Sequence, residues 1–550
     1  MKPTLESMTV AHPALKDLFA PGWDFATDIL VVVGRSDPEF FEAILQLDQA
    51  RVINLIEESV EEPPSPFKRA VTALDMYQVI LEFAGDKPKS ATIRCQPGSS
   101  LTKAATNELV ESLRGAIATF GIFKETVAMH APQWALHGIK NMAEVASAPS
   151  VHSLEGAFAG IPCVIVSPGP SLDQNLHLLK QFSGRALIMT CSHALHSMEA
   201  AGVAPNLITV SDPKFTGRHF KDCTSIESAT LCLDAVVEPR NFEFESKRKF
   251  TFASHESIAP WIYDVWDETA CMESGGSVAC VEFSLARWMG CGPVVFVGQD
   301  LAMTDGRYYA KSNIDGMAYI EQVDGSSQFE LVRPHINHDD DQLTVTRHEA
   351  EALRTVKSWD GGTVFTSDSL YTFLRWFGAA ARSMETNVFN CTEGGAFIEG
   401  MQHISLQEFI DTHALDPVDI DGILEARSAS VDFAKRRELM HASLTEMLDG
   451  IGKCARIAKK CKQLASRAHR DQRALDELGR SEKQLSKAIA PIKPLSMISQ
   501  RLIQEAQTRA AKATTLEENL GMAKALFNAV IDSAKVLEEP LVESLRKLAH

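Results

Sequence analysis

The residues best suited to chemistry lie in short loops that each follow an apolar run. The stretch V-I-V leads into Ser167–Leu172, S-P-G-P-S-L, and then into L-D-Q-N-L-H-L-L-K. Gly169 permits close backbone approach. Ser171 is placed to cap a following helix, whose amino terminus would offer unpaired N–H groups to a phosphate. Such a turn also serves as an ordinary tight connection. After later apolar runs come Ser192, within Thr190–His193, and Asp212, within Ser211–Pro213. A carboxylate at 212 suits a sugar hydroxyl or a metal, and equally suits a turn. His255, in Ser254–Glu256, can donate to a phosphate or accept a proton, although a lone histidine is more often structural.

The richest stretch runs E-S-G-G-S-V-A-C-V-E-F and ends in V-V-F-V-G-Q-D. Gly275, Gly276 and Ser277 open a second helix, and Gly298, Gln299 and Asp300 close the strand after it. Two helix starts with glycine-flanked serines, at Ser171 and Ser277, imply an anion cradled from both sides. A further polar loop with glycines, Asn390–Ala396 (N-C-T-E-G-G-A), follows T-N-V-F and either completes the pocket or turns the chain.

These loops need a scaffold that gathers them. Strand-like runs at 162–166, 186–190, 207–210, 230–236, 250–253 and 293–298 alternate with helical stretches, which predicts a Rossmann-like, mostly parallel sheet covered by helices. In such sheets ligands gather at the carboxyl ends of the strands. This α/β domain is expected over 151–422. A smaller α/β domain precedes it over 1–150, opening with a strand at Ala26–Gly34, a helix at Asp37–Leu47 and a strand at Arg51–Ile56. Its turn, G-R-S-D-P-E-F, lacks the G-x-G-x-x-G spacing of a dinucleotide site. From about Ile423 the composition turns to Ala, Leu, Lys, Glu, Gln and Arg, so 423–550 is expected to be an all-α bundle. The polar segment Lys311–Gln342 carries Arg333, His335 and His338 without periodicity and is expected to be a lid.

With 550 residues the chain exceeds one ordinary core, and its net charge of -18 argues against sequence-independent nucleic-acid binding. No stretch nears the roughly 20 apolar residues that span a bilayer, and the amino terminus lacks an apolar signal core. A cytoplasmic protein without membrane insertion is expected. Its 11 cysteines include no C-x-x-C pair and are expected to be reduced, mostly buried thiols.

Taken in order, V-S-P-G-P-S-L-D, T-V-S-D-P, S-G-G-S-V-A, G-Q-D-L-A and N-C-T-E-G-G-A resemble the motility-associated Maf flagellin glycosyltransferases over roughly 157–410. The same core is similar to bacterial sialyltransferases. The resemblance implies transfer of a nonulosonic acid, of pseudaminic or legionaminic type, from its CMP ester to serine or threonine hydroxyls of flagellin. No cofactor or metal is required. It also implies that Gly169, Pro170, Ser171, Gly276 and Ser277 surround the CMP; Ser192, Asp212, Gly275 and Gln299, read from their places at the strand ends, are further binding candidates. The sialyltransferases use a lid histidine as base. No counterpart stands out here, so the candidate bases are His335, His338, His255 and Asp300, with Arg333 and Arg307 as partners for the sugar carboxylate. Archaeal 6-hydroxymethylpterin pyrophosphokinases resemble this domain too, but lack a long helical tail. A non-catalytic flagellin-binding protein is the remaining alternative.

Overall fold

The computed structural model describes residues 130–254, 260–323, 328–336, 342–347, 351–413, 415–499 and 515–549, together with four strands near the amino terminus. These are β1 (Ile29–Val33), β2 (Arg51–Leu55), β3 (Lys68–Ala70) and β4 (Ala91–Cys95), paired in parallel in the order β3-β2-β1-β4. The helix expected at Asp37–Leu47 lies outside the described residues. The chain divides into two compact units, Met1–Thr126 with Leu374–Ser383, and Val127–Phe373 with Met384–His550.

The second unit is built on β5 (Cys163–Val166), β6 (Leu187–Cys191), β7 (Leu207–Val210), β8 (Thr230–Asp234), β9 (Arg248–Ser254), β10 (Cys271–Met272) and β11 (Val294–Val297). An antiparallel insertion follows: β12 (Tyr319–Gln322), β13 (Gln328–Ile336), β14 (Leu343–Arg347), β15 (Glu351–Ala352), and a ribbon of β16 (Arg354–Lys357) with β17 (Thr363–Thr366). Then β18 (Val388–Asn390) and β19 (Gln402–His403) return to the main sheet. Nine strands pair in parallel in the order β10-β9-β8-β7-β6-β5-β11-β18-β19. Within Lys311–Gln342, expected to be a lid without periodicity, Tyr319–Gln322 and Gln328–Ile336 are strands of this insertion.

Burial explains why the main strands are so apolar. Every residue of β5, β6, β7, β8 and β11 is buried, as in a parallel sheet covered on both faces. The helix Val278–Trp288 is buried from Ala279 through Ala286 and packs across β5, β6 and β7. On the other face Leu172, Leu179, Phe182, Phe389, Leu406 and Phe409 form a core with the strands. Ten described cysteines are free thiols, all but Cys271 buried.

The tail is helical, with Phe433–Ala465 packed along both Gln472–Ile489 and Leu516–Ala549. It is fastened to the segments flanking the sheet by side-chain contacts. Arg436 pairs with Glu268 and lies over the Trp266 ring, and Ser544 Oγ donates to the Ile139 carbonyl at 2.6 Å. No described helix is long and apolar enough to cross a membrane.

Candidate functional site

The chain leaves β5 toward β6, works outward to β10, then crosses back to place β11 on the opposite side of β5. The strand order thus reverses between β5 and β11. At such a switch point the two outgoing loops diverge and open a crevice beyond the carboxyl edge of the sheet. Ser167–Leu172 leaves β5 there and Gly298–Asp300 leaves β11.

These loops interlock. Ser171 donates its backbone N–H to Asp300 Oδ1 at 2.9 Å and its hydroxyl to the same oxygen at 2.9 Å. Thr304 Oγ1 reaches Asp300 Oδ2 at 3.3 Å, so both carboxylate oxygens are engaged. Ser167 Oγ donates to Gln299 Oε1 at 2.5 Å, and the Gly169 N–H to the Gly298 carbonyl at 2.9 Å. The Asn390–Ala396 loop closes the third side: the Gln299 N–H donates to Thr392 Oγ1 at 3.1 Å and the Ala396 N–H to the Asp300 carbonyl at 2.7 Å. Asn175 Nδ2 donates to the Cys391 carbonyl at 3.0 Å.

Glycine is needed where these chains meet. A Cβ on Gly169 would strike the Asp300 carboxylate and the Gly298 carbonyl, and one on Gly395 the Asp300 backbone. Leu301 and Glu393 hold φ of 51° and 58°, left-handed values that a side chain resists, and such strain concentrates at functional sites. Burial pushes the Asp300 carboxyl up to about 6, partly offset by the hydrogen bonds from Ser171 and Thr304.

Other sequence candidates take different places. Ser171 does not cap a helix with its side chain, and the helix after it, Leu172–Asn175, is one turn that passes into 3-10 geometry. The Ser167, Gly169, Ser171 and Leu172 N–H groups are all used inside the loops, so that half of the expected two-sided cradle is an interlocked turn rather than a helix terminus. Among the described residues, the N–H groups without a hydrogen bond here include those of Glu393, Gly394 and Gly395, and Gly394 lies against Ser171. Ser277 sits in extended conformation at the start of Val278–Trp288 after Gly275 and Gly276, with φ of 50° and 87°, and its hydroxyl makes no capping bond. Asp212 is exposed and accepts the Lys214 N–H at 2.8 Å, the geometry of a turn. His335 lies on β13 opposite Thr344, whereas His255 and His338 fall outside the described residues. Arg307 pairs with Asp173 at 3.3 Å.

One cluster has no counterpart among the sequence candidates apart from Ser192 and Arg333. Asp315, fully buried, receives His193 Nε2 at 2.8 Å and both terminal nitrogens of Arg218 at 2.8 and 2.6 Å, with Arg333 Nε at 3.6 Å. Arg333 also donates to the Tyr309 hydroxyl at 2.6 Å. The His193 ring stacks on His219 with centroids 4.7 Å apart, and Ser192 Oγ lies 3.1 Å from His219 Nδ1. Although burial opposes its charge, the bonds from His193 and Arg218 hold the Asp315 carboxyl well below the usual carboxylate range.

The strap Arg307–Gly316 joins this cluster to the switch point. The Ala310 N–H donates to the Pro168 carbonyl at 3.0 Å, Lys311 N–H and Ser312 Oγ both reach Asp173 at 2.7 Å, and Asn313 Nδ2 reaches the His193 carbonyl at 2.6 Å. β6 is also the direct neighbour of β5, with Thr190 opposite Val166. The two loops therefore start about 5 Å apart.

Residues 136–306 match the family model described as 6-hydroxymethylpterin diphosphokinase MptE-like. That MptE-like segment contains β5 through β11, and with them both Ser171 and Asp300. The third loop, Asn390–Ala396, lies beyond it, as does Asp315. A solved Maf glycosyltransferase from Magnetospirillum magneticum AMB-1 is similar over 98% of this chain and 82% of that chain, with a TM-score of 0.45 and 13% identity. No curated protein gives a significant match.

Proposed function

We propose that this chain is a glycosyltransferase that moves a nonulosonic acid of pseudaminic or legionaminic type from CMP to serine or threonine hydroxyls of cytoplasmic flagellin. The observation that carries this reading is the meeting of S-P-G-P-S-L, G-Q-D-L-A and N-C-T-E-G-G-A at one switch point, around Asp300. They belong to the ordered series on which the resemblance to flagellin glycosyltransferases rests, and they are far apart in the chain.

The chemistry asks little of the protein beyond position. CMP departs readily, so the site must hold the donor, neutralise the departing phosphate and accept one proton from the acceptor hydroxyl. The unpaired N–H groups of Glu393, Gly394 and Gly395 are suited to an anion, because successive N–H groups around left-handed residues converge on one point. The long helical tail offers a surface for a protein acceptor, which a small-molecule kinase would not need.

The test is co-expression with flagellin and a CMP-nonulosonate pathway, followed by intact mass of flagellin. A mass gain that disappears with Asp300→Ala is expected. Unchanged flagellin despite confirmed donor synthesis would sink the proposal. The match of 136–306 favours a second reading, pyrophosphate transfer from ATP to a pterin. Thermal shifts separate the two: stabilisation by CMP supports the glycosyltransferase, and stabilisation by magnesium-ATP with the pterin supports the kinase.

A further inference from the structure

We propose that His193 is the proton acceptor for the incoming hydroxyl, and that Asp315 positions it; the inference rests on the glycosyltransferase reading above. Asp315 is ionised and can only accept hydrogen bonds, so the His193 nitrogen 2.8 Å away, Nε2, must carry the proton. That fixes the neutral ring in one tautomer and leaves the Nδ1 lone pair available. Among the described residues Nδ1 has no hydrogen-bond partner, and it is not a buried unsatisfied atom, so it is open to a ligand. The side chain as a whole remains 17% exposed.

No other described histidine here has its tautomer set by a carboxylate. His219 faces a serine hydroxyl, which can donate or accept. The charged and titratable groups packed around His193 are Asp315, Arg218, Arg333, Tyr309 and His219. Arg218 and Arg333 oppose the charge of Asp315, and burial also disfavours an imidazolium. The His193 pKa is therefore lowered, first by burial, and the ring is neutral and able to accept a proton at neutral pH.

The step balances without any further reagent. The acceptor oxygen bonds to the anomeric carbon of the donor, the bond from that carbon to the CMP phosphate oxygen breaks, and its electron pair leaves with CMP. The acceptor proton moves to His193 Nδ1, giving an imidazolium that the nearby Asp315 carboxylate stabilises, and passes to water when product departs.

The experiment uses the full chain, purified flagellin and CMP-nonulosonate, with CMP alone for binding. His193→Gln is expected to lower kcat by about 10²- to 10⁴-fold while the CMP thermal shift and donor KM stay near wild type. Asp315→Asn is expected to lower kcat less and to move the acidic limb of the kcat profile, since the tautomer is no longer imposed. If His193→Gln fails to fold, wild-type protein treated with diethyl pyrocarbonate at pH 6.5 gives the same answer through peptide mass mapping. Loss of transfer in step with modification of His193 is expected. Transfer at the wild-type rate by His193→Gln, or by protein fully modified at His193, overturns the assignment alone. Wild type that neither binds CMP nor transfers overturns the glycosyltransferase reading beneath it.

Discussion

Asp300 Oδ1 receives both the backbone N–H and the hydroxyl of Ser171, each at 2.9 Å, and so ties the end of β11 to the end of β5. The bond spans the place where the strand order reverses, so it holds the two outgoing loops together. Its strength depends on charge. Burial raises the folded Asp300 pKa to about 6, above the ordinary aspartate range. For a raised carboxyl the contribution to stability is fully present below its unfolded pKa and is lost as pH rises through the folded value. The stability of wild type relative to Asp300→Asn is therefore expected to shrink by about 2–3 kcal/mol between pH 4 and pH 7, since one pKa unit is worth about 1.4 kcal/mol. Paired urea titrations across that range check this, and a constant difference would contradict it.

Gly169→Ala tests the closeness of the loops. The new methyl has no space beside the Asp300 carboxylate and the Gly298 carbonyl. A loss of about 1–3 kcal/mol is expected, the usual cost of overpacking, together with loss of the CMP thermal shift. Gly156→Ala is the control: φ is 61° there and nothing lies within 4 Å, so about 1 kcal/mol of backbone strain should leave CMP binding intact.

Much of this scaffold was legible in the sequence. The six apolar runs from 162–166 to 293–298 correspond to β5, β6, β7, β8, β9 and β11, because strands buried on both faces leave no polar interruption to blur them. Ser171 and Asp300 stood out separately as loop residues, but nothing in either stretch announces that they bond to one another across 129 positions. The His193–Asp315 pair was harder still. It spans 122 positions, and Asp315 lies in a polar stretch whose strap conformation has no periodic signature. Two-residue strands such as β10 and β19 are too short to show a pattern.

Glu282 offers a test in the core. It is fully buried on the helix Val278–Trp288, and neither carboxylate oxygen meets a donor in hydrogen-bond geometry, the neighbouring Thr209 hydroxyl included. Burial raises its pKa well above the ordinary range, with Thr209 drawing it partly back. By the same linkage its contribution is present below the normal glutamate pKa and fades as pH rises toward the folded value. Glu282→Gln is expected to gain on wild type as pH goes from 5 to 8.5, read from urea midpoints. Parallel curves would refute this.

Arg436 tests the seam between tail and sheet. It is 4% exposed, pairs with Glu268 and covers the Trp266 ring. Arg436→Ala strands a carboxylate and is expected to cost about 3–5 kcal/mol. Adding Glu268→Ala should restore part of that loss, because the stranded charge is then removed. Additive losses in a double-mutant cycle would show that the two residues act independently.

The placement of β11 and β18 on the far side of β5 also bears on biosynthesis. A chain emerging from the ribosome can lay down β5 through β10 in sequence, yet the Ser167–Leu172 loop has no partner until residue 300 is out, and the third loop joins only when residue 396 follows. On the glycosyltransferase reading, a nascent or prematurely terminated chain that stops before Ala396 is thus expected to be blind to nucleotide.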